Sequence, residues 1–140
     1  MKKRVFRLLL IVPLLALLTS CRVNGVKSAP EVDLSGKWRM VKVLDVVVTP
    51  DMDSEISVSF SREDGSATFI TGCNLISVKY HHSGNSLHLS EGISTKMACH
   101  DMRIEDGCLK AIPLVRTITQ TSDTLCLCTD NLEKLIWLVR

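Results

Sequence analysis

Alternating apolar and polar side chains dominate the chain from residue 36 onward. Ile56, Val58 and Phe60 alternate with serines, which predicts a strand with one buried and one solvated face. Seven similar runs separated by turn residues predict further strands at residues 36–44, 66–71, 78–82, 87–89, 117–120, 124–128 and 134–139. The last run is apolar on both faces, so we expect this strand to be central or covered rather than an edge.

A helical period replaces this alternation after Cys99. Apolar residues recur there at spacings of four, one, three and three, at Ile104, Cys108, Leu109, Ile112 and Val115. The stripe predicts one amphipathic helix, which should end near Pro113 because proline resists the helix interior. Acidic groups favour the positive end of a helix dipole, and this explains Asp101, Glu105 and Asp106 at its start without catalysis.

These patterns together predict a β-rich α+β fold. We expect a curled antiparallel sheet or open barrel of about eight strands, with the amphipathic helix inserted between the fifth and sixth. The helix and the sheet should share one core, to which we assign Trp38, Phe60, Phe69, Leu87, Leu89, Leu109, Ile112 and Trp137.

The hairpin around Gly84-Asn85 suggests one candidate metal site. A tight turn there places His81 opposite His88 on the polar face of the hairpin. Two imidazoles bind a divalent metal weakly, so a third ligand would have to come from His100 or a distant cysteine. The alternative is a solvated polar face beside Lys79 and Ser90, and we favour it.

The N-terminus has the pattern of a lipoprotein leader. Four basic residues among the first seven precede an apolar run, Leu8 to Leu18, that is short for a membrane span. The sequence Leu18-Thr19-Ser20-Cys21 then resembles a lipobox. We therefore expect residues 1–20 to be a signal peptide and Cys21 to be lipidated.

Other interpretations of the leader are an ordinary signal peptide or an anchor helix with an incidental cysteine. Arg22 is not the aspartate that commonly retains lipoproteins at the inner membrane, so we expect an outer-membrane anchor with the domain facing the periplasm. Residues 21–31 are polar and should form a flexible tether to a folded domain at residues 32–140.

Net charge argues against a nucleic-acid partner. The whole chain has 17 basic and 15 acidic residues, but the leader holds four of the basic ones, which leaves 13 against 15. Binding to phosphate backbones needs a net basic face. The net charge of the chain without its leader therefore supports neither nucleic acid nor an anionic lipid surface as a partner.

Three short motifs resemble the META domain, a family of small envelope lipoproteins of Gram-negative bacteria linked to heat shock, motility and novobiocin. They are Leu34-Ser35-Gly36-Lys37-Trp38, Thr71-Gly72-Cys73-Asn74 and Met97-Ala98-Cys99, and they occur in the family's order. The resemblance extends over nearly all of the mature chain. It implies a curled sheet with a helix and an envelope location, but no reaction, because none is established for the family.

Five cysteines remain when Cys21 is assigned to lipid, so at least one must lack an intrachain disulfide partner. Folding of the hairpin should bring Cys73 near Cys99, so we expect these two to form a disulfide. The alternatives are two buried thiols, or a bridge from Cys73 to Cys108. Cys126 and Cys128 point to one strand face, either as a metal or redox pair or, as we favour, as part of a buried apolar face.

We expect a non-enzymatic envelope lipoprotein that binds another envelope component or supports tolerance of envelope stress. Its partners would be the membrane, through the lipid, and an envelope protein, and it would need no cofactor. The chain shows no nucleophile elbow and no Gly-rich phosphate loop. The alternative is a module that binds a small ligand or a divalent metal near His81, His88 and His100. A hydrolase or inhibitor activity is a third, less supported hypothesis.

Overall fold

A computed structural model describes residues 32–52 and 55–140 of the 140-residue chain. The expected signal peptide and tether, including Cys21, lie outside the described residues. Among the residues that are described, no helix has the length and hydropathy of a membrane span.

Residues 32–52 and 55–140 form ten strands and one α-helix. The strands are β1 (Gly36–Val43), β2 (Val46–Val47), β3 (Ser57–Ser61), β4 (Ser66–Ile70), β5 (Leu75–Ser83), β6 (Ser86–Leu89), β7 (Ile93–Ser94), β8 (Thr117–Thr121), β9 (Thr124–Cys128) and β10 (Lys134–Val139). Helix α1 (Arg103–Ala111) lies between β7 and β8 and continues into a single 3₁₀ turn, Ile112–Leu114. The predicted class is therefore confirmed, with two short strands, β2 and β7, in addition to the expected eight.

All strand pairs are antiparallel, and the sheet closes on itself. Its order is β1-β3-β4-β5-β6-β8-β9-β10, and β10 pairs again with β1. The two-residue strands β2 and β7 pair with β1 and β5 respectively. The last strand has a neighbour on each side, which confirms the central position predicted from its two apolar faces.

The interior of this ring is one apolar core, and α1 packs against β1, β2 and β10. Five of the predicted core residues are buried in it: Trp38, Phe60, Phe69, Leu87 and Ile112. Leu89 is partly buried and packs against the same core. Gly107 lets the helix approach the sheet closely, because a Cβ there would lie 2.9 Å from Cγ1 of Val43.

The core assignment of Leu109 is wrong, because its side chain is 39% exposed. The buried positions of α1 are Ile104, Glu105, Gly107, Cys108 and Ala111, and Leu109 lies beside this face. The apolar stripe predicted from the sequence includes Leu109. It is wider than the face that this nine-residue helix buries.

Trp137 also lies outside the predicted core. The pairing of β10 with β9 shifts register between Lys134 and Ile136, and both Leu135 and Ile136 are buried there. Such an irregularity re-aims the side chains that follow it. Trp137 consequently lies half-buried on the outer face of the sheet, while Leu138 is fully buried.

The same substitution at two leucines tests the corrected core. Leu138→Ala should lower the free energy of unfolding by about 2 to 5 kcal/mol, because it leaves a cavity in a closed core. Leu109→Ala should cost less than about 1 kcal/mol, as expected for a partly exposed side chain. Urea unfolding of both variants measures the difference, and equal losses would contradict the placement of Leu109.

Candidate functional site

The connection between β4 and β5 is a tight turn that consists of the second motif, residues 71–74. The backbone N–H and the hydroxyl of Thr71 both donate to the carbonyl of Asn74, at 3.0 and 2.8 Å. Gly72 has a φ of 96°, a conformation that glycine adopts without steric cost. The turn therefore fixes Cys73 and Asn74 at the end of the sheet.

The side chain of Asn74 is 1% exposed and joins three segments. Its Oδ1 accepts from the Thr95 hydroxyl at 2.8 Å and from the Met97 backbone N–H at 2.9 Å. Its Nδ2 donates to the Met97 carbonyl at 3.0 Å and to Oε2 of Glu105 at 2.7 Å. One amide thus holds the β4–β5 turn, the segment after β7 and helix α1 together, with every donor and acceptor group engaged.

Glu105 is a structural carboxylate rather than a helix-start acid in solvent. It is 6% exposed, and its second oxygen accepts a hydrogen bond from the Ser94 hydroxyl at 2.7 Å. Asp101 and Asp106, which the sequence grouped with it, are exposed. The position of the three acids at the start of the helix did not distinguish the buried one from the exposed ones. The available signal was that Glu105 lies one position from Ile104 and three from Cys108, which are both buried.

A disulfide joins Cys73 to Cys99, with 6.3 Å between their Cα atoms, as predicted. It covalently links the β4–β5 turn to the segment that precedes α1. The alternative bridge from Cys73 to Cys108 does not form, since Cys108 is a free thiol in the core with its Sγ 3.9 Å from Sδ of Met40. Burial raises the pKa of Cys108 to about 12, so this thiol stays protonated and inert.

An open cleft of about 430 Å³ adjoins the disulfide and the Asn74 turn. We call it the disulfide cleft. Apolar side chains form part of its wall, among them Met52, Ile56, Met97 and Ile104. Three charged residues, Asp51, Asp101 and Arg103, lie at its rim. Its size is within the range of small-molecule sites.

Two of the three charged residues at the rim of the disulfide cleft form an ion pair with each other. Arg103 donates to both carboxylate oxygens of Asp101, at 2.9 and 2.7 Å, and these hydrogen bonds lower the pKa of Asp101 to about 2. A hydrogen bond from the Thr49 side chain lowers the pKa of Asp51. Both carboxylates are therefore ionised at neutral pH and suit hydrogen bonding or cation contacts rather than proton transfer.

The predicted histidine pair is present, but the three-ligand site is not. His81 pairs with His88 across β5 and β6, and both side chains are exposed. His100 lies in the segment before α1. Within residues 32–52 and 55–140 no group of three His, Cys, Asp or Glu side chains is arranged to hold a metal ion. The geometry corresponds to the alternative interpretation, a solvated polar face.

Cys126 and Cys128 are free thiols, 4% and 0% exposed. Burial raises the pKa of Cys128, and its Sγ lies 3.9 Å from the Thr119 hydroxyl oxygen. This environment agrees with the interpretation of the pair as small buried hydrophobes.

These features define a small domain in which a ring of antiparallel strands is locked at one end by a disulfide and a buried polar network. The chain belongs to the META domain family, which it matches over residues 32–139. No curated protein matches the chain.

Solved structures of similar fold agree with this assignment. A Burkholderia xenovorans protein is 22% identical with a TM-score of 0.59, over 76% of this chain and 83% of that one. A DUF4847 family protein from Bacteroides vulgatus is 14% identical with a TM-score of 0.53, over 76% of this chain and 92% of that one. At these identities the likeness shows the fold alone.

An isosteric change at Asn74 tests the polar network. Asn74→Asp replaces the two N–H donors by an oxygen that faces Glu105, so it should cost about 3 to 5 kcal/mol of stability at neutral pH. One of the two facing carboxyls must take up a proton in the folded state. Because the folded variant then binds more protons than its unfolded chain, its stability should fall as pH rises.

The measurement is urea unfolding of Asn74→Asp and the parent chain from about pH 8 to about pH 5, where the deficit should shrink as pH is lowered. The matched control is Asn85→Asp in the exposed β5–β6 turn, which should change little at any pH. A deficit that does not depend on pH would contradict the contact between residues 74 and 105.

Proposed function

We propose that this protein is a lipid-anchored, non-enzymatic module of the cell envelope whose META domain binds another envelope component. The observation that carries the proposal is the order of features along the chain: a leader with a lipobox, a polar segment of eleven residues, and then a domain that starts at residue 32. The anchor would be in the outer membrane, with the domain in the periplasm. An oxidising compartment also suits the Cys73–Cys99 disulfide.

The disulfide cleft supports a binding role rather than a catalytic one. The polar groups behind it already satisfy one another, because Asn74 and Glu105 use their side-chain atoms within the network. At the rim, Asp101 is paired with Arg103. Covalent and hydrogen-bonded links fix the wall that contains Cys73, Met97 and Cys99, and a preorganised surface binds at a lower entropic cost.

A second candidate function is capture of a small ligand in the disulfide cleft. The specific observation in its favour is the combination of apolar wall residues with a charged rim in a volume of about 430 Å³. Divalent-metal binding at the histidines has no comparable geometric support.

Removal of the lipid-accepting thiol tests the anchor. Cys21→Ala should abolish labelling of the protein with palmitate in cells, whether the variant is released as a soluble form or remains unprocessed. The unchanged chain is the control. Equal palmitate labelling of both proteins would refute lipid anchoring at Cys21.

Photocrosslinking in intact cells tests which component binds the cleft. A photoreactive side chain in place of Met97, which lines the cleft and is 60% exposed, should give a discrete protein adduct. The matched control position is Leu114, which is 51% exposed and is not in the cleft lining. Absence of an adduct at residue 97, together with a small molecule retained in native mass spectrometry, would favour the second candidate.

A further inference from the structure

Acidic and basic residues occupy different parts of this fold, which the near-zero net charge does not reveal. None of the ten strands contains an aspartate or glutamate. Lys37, Arg39 and Lys42 lie in β1 and Lys134 lies in β10, and these two strands are neighbours. Lys79 in β5 is the remaining strand cation.

The outer face of β1 and β10 brings two of these cations, Lys42 and Lys134, close to Trp137. Lys42 is paired with Trp137 across the two strands, and its Nζ lies 5.7 Å from the centre of the indole ring. The Nζ of Lys134 lies 4.6 Å from the same ring. Neither ammonium has a carboxylate within 4.0 Å among the described residues. Two cations share one half-buried tryptophan, an arrangement that an anion between them would stabilise.

The same face continues along β1 into a shallow depression of about 340 Å³. Lys37, Arg39, Val139 and Arg140 are part of its lining. Lys37 pairs with Glu55 at 3.6 Å, but both side chains are more than half exposed, so solvent screens the contact. We define the cationic face as Lys42 and Lys134 beside Trp137, together with Arg39 and Lys37, which lie farther along β1.

The neighbouring strands add no opposing charge. On one side β8 and β9 present Thr117, Thr119, Cys126 and Cys128 next to Trp137 and Lys134. On the other side β3 contributes serines opposite Lys37 and Arg39. The acids near this face lie outside the strands: Glu55 contacts Lys37 and lines the depression, Asp45 follows β1 and Glu133 precedes β10. At physiological ionic strength such charges are screened within about 8 Å, so the local face rather than the net charge sets what approaches it.

We infer that the cationic face docks on the anionic phospholipid surface to which the protein is tethered. Lysine and arginine side chains that share one face attract lipid phosphates, and tryptophan favours the membrane–water interface. The face is broad and open rather than a closed pocket. These features fit an extended array of headgroups better than a single phosphate ion.

The position of the anchor favours this occupant over a protein partner. This step rests on the proposed lipid on Cys21. Only 16 positions separate that residue from Lys37, and residues 21–31 can span at most about 40 Å when extended. The domain is thereby held close to the bilayer, which raises the effective concentration of headgroups at the face. Arg22 and Lys27 add two further cations to the segment next to the lipid.

Vesicle binding by the unlipidated mature chain tests the inference. Residues 21–140 with Cys21→Ala are co-sedimented with vesicles of phosphatidylglycerol and phosphatidylcholine, and with vesicles of phosphatidylcholine alone. Binding should need the anionic lipid and weaken as salt is added. Lys42→Gln combined with Lys134→Gln should weaken it roughly 30-fold, since each cation near an anionic surface contributes roughly fivefold.

The matched control is Lys96→Gln combined with Lys110→Gln, which removes the same charge from exposed positions outside the face and should weaken binding less than about threefold. Arg39→Gln gives an independent variant, with an expected loss of roughly fivefold. Thermal unfolding confirms that each variant is folded.

Equal losses in the two lysine pairs would overturn the inference, because binding would then follow net charge alone. Absence of binding to anionic vesicles would overturn it as well. So would complete competition by inorganic phosphate at constant ionic strength, which would indicate a site for a single ion. Because the assay uses an unlipidated chain, its result does not depend on whether Cys21 carries lipid.

Discussion

The buried amide of Asn74 is the interaction on which the closed end of this domain depends. A side chain that is 1% exposed must find partners for its carbonyl and amino groups within the protein, and here it finds them in the segment after β7 and in Glu105 of α1. Separating the three segments would leave these buried polar groups without hydrogen-bond partners, which costs free energy. The hydrogen bonds of Asn74 therefore hold the segments together. The adjacent Cys73–Cys99 bridge joins two of them a second time, through covalent bonds. One wall of the disulfide cleft, formed by the β4–β5 turn and the segment before α1, is therefore held in both ways.

The sequence was sufficient for those parts of the fold that follow from local rules. Strict alternation located the strand that contains Phe60, and the Gly84-Asn85 turn set the register that pairs His81 with His88. The two apolar faces of the last strand required neighbours on both sides, and closure of the ring supplies them. Proximity of the ends of the β5–β6 hairpin was enough to pair Cys73 with Cys99.

Other features depended on three-dimensional placement that no local pattern encodes. The register shift near Lys134 turned Trp137 outward, and the short helix left Leu109 at its flank. Glu105 was grouped with exposed acids because the sequence does not show that Asn74 faces it across the fold. The candidate site was likewise only partly predictable: its cysteines stand in recognisable motifs, whereas its charged rim residues come from loops and from the first residue of α1, which no motif marks. The net charge concealed the cationic face, because acids outside the strands offset the lysines and arginine of β1 and β10 in the total.

Amide hydrogen exchange at Met97 tests most directly whether the buried Asn74 side chain holds the segment before α1. This segment has no regular secondary structure, yet the Met97 N–H donates to Oδ1 of Asn74. We expect this amide to exchange at least ~100-fold more slowly than those of Lys96 and Ala98, which have no acceptor among the described residues. The difference should disappear in Asn74→Ala. Exchange at Met97 as fast as at its two neighbours in the parent protein would show that Asn74 does not hold this segment.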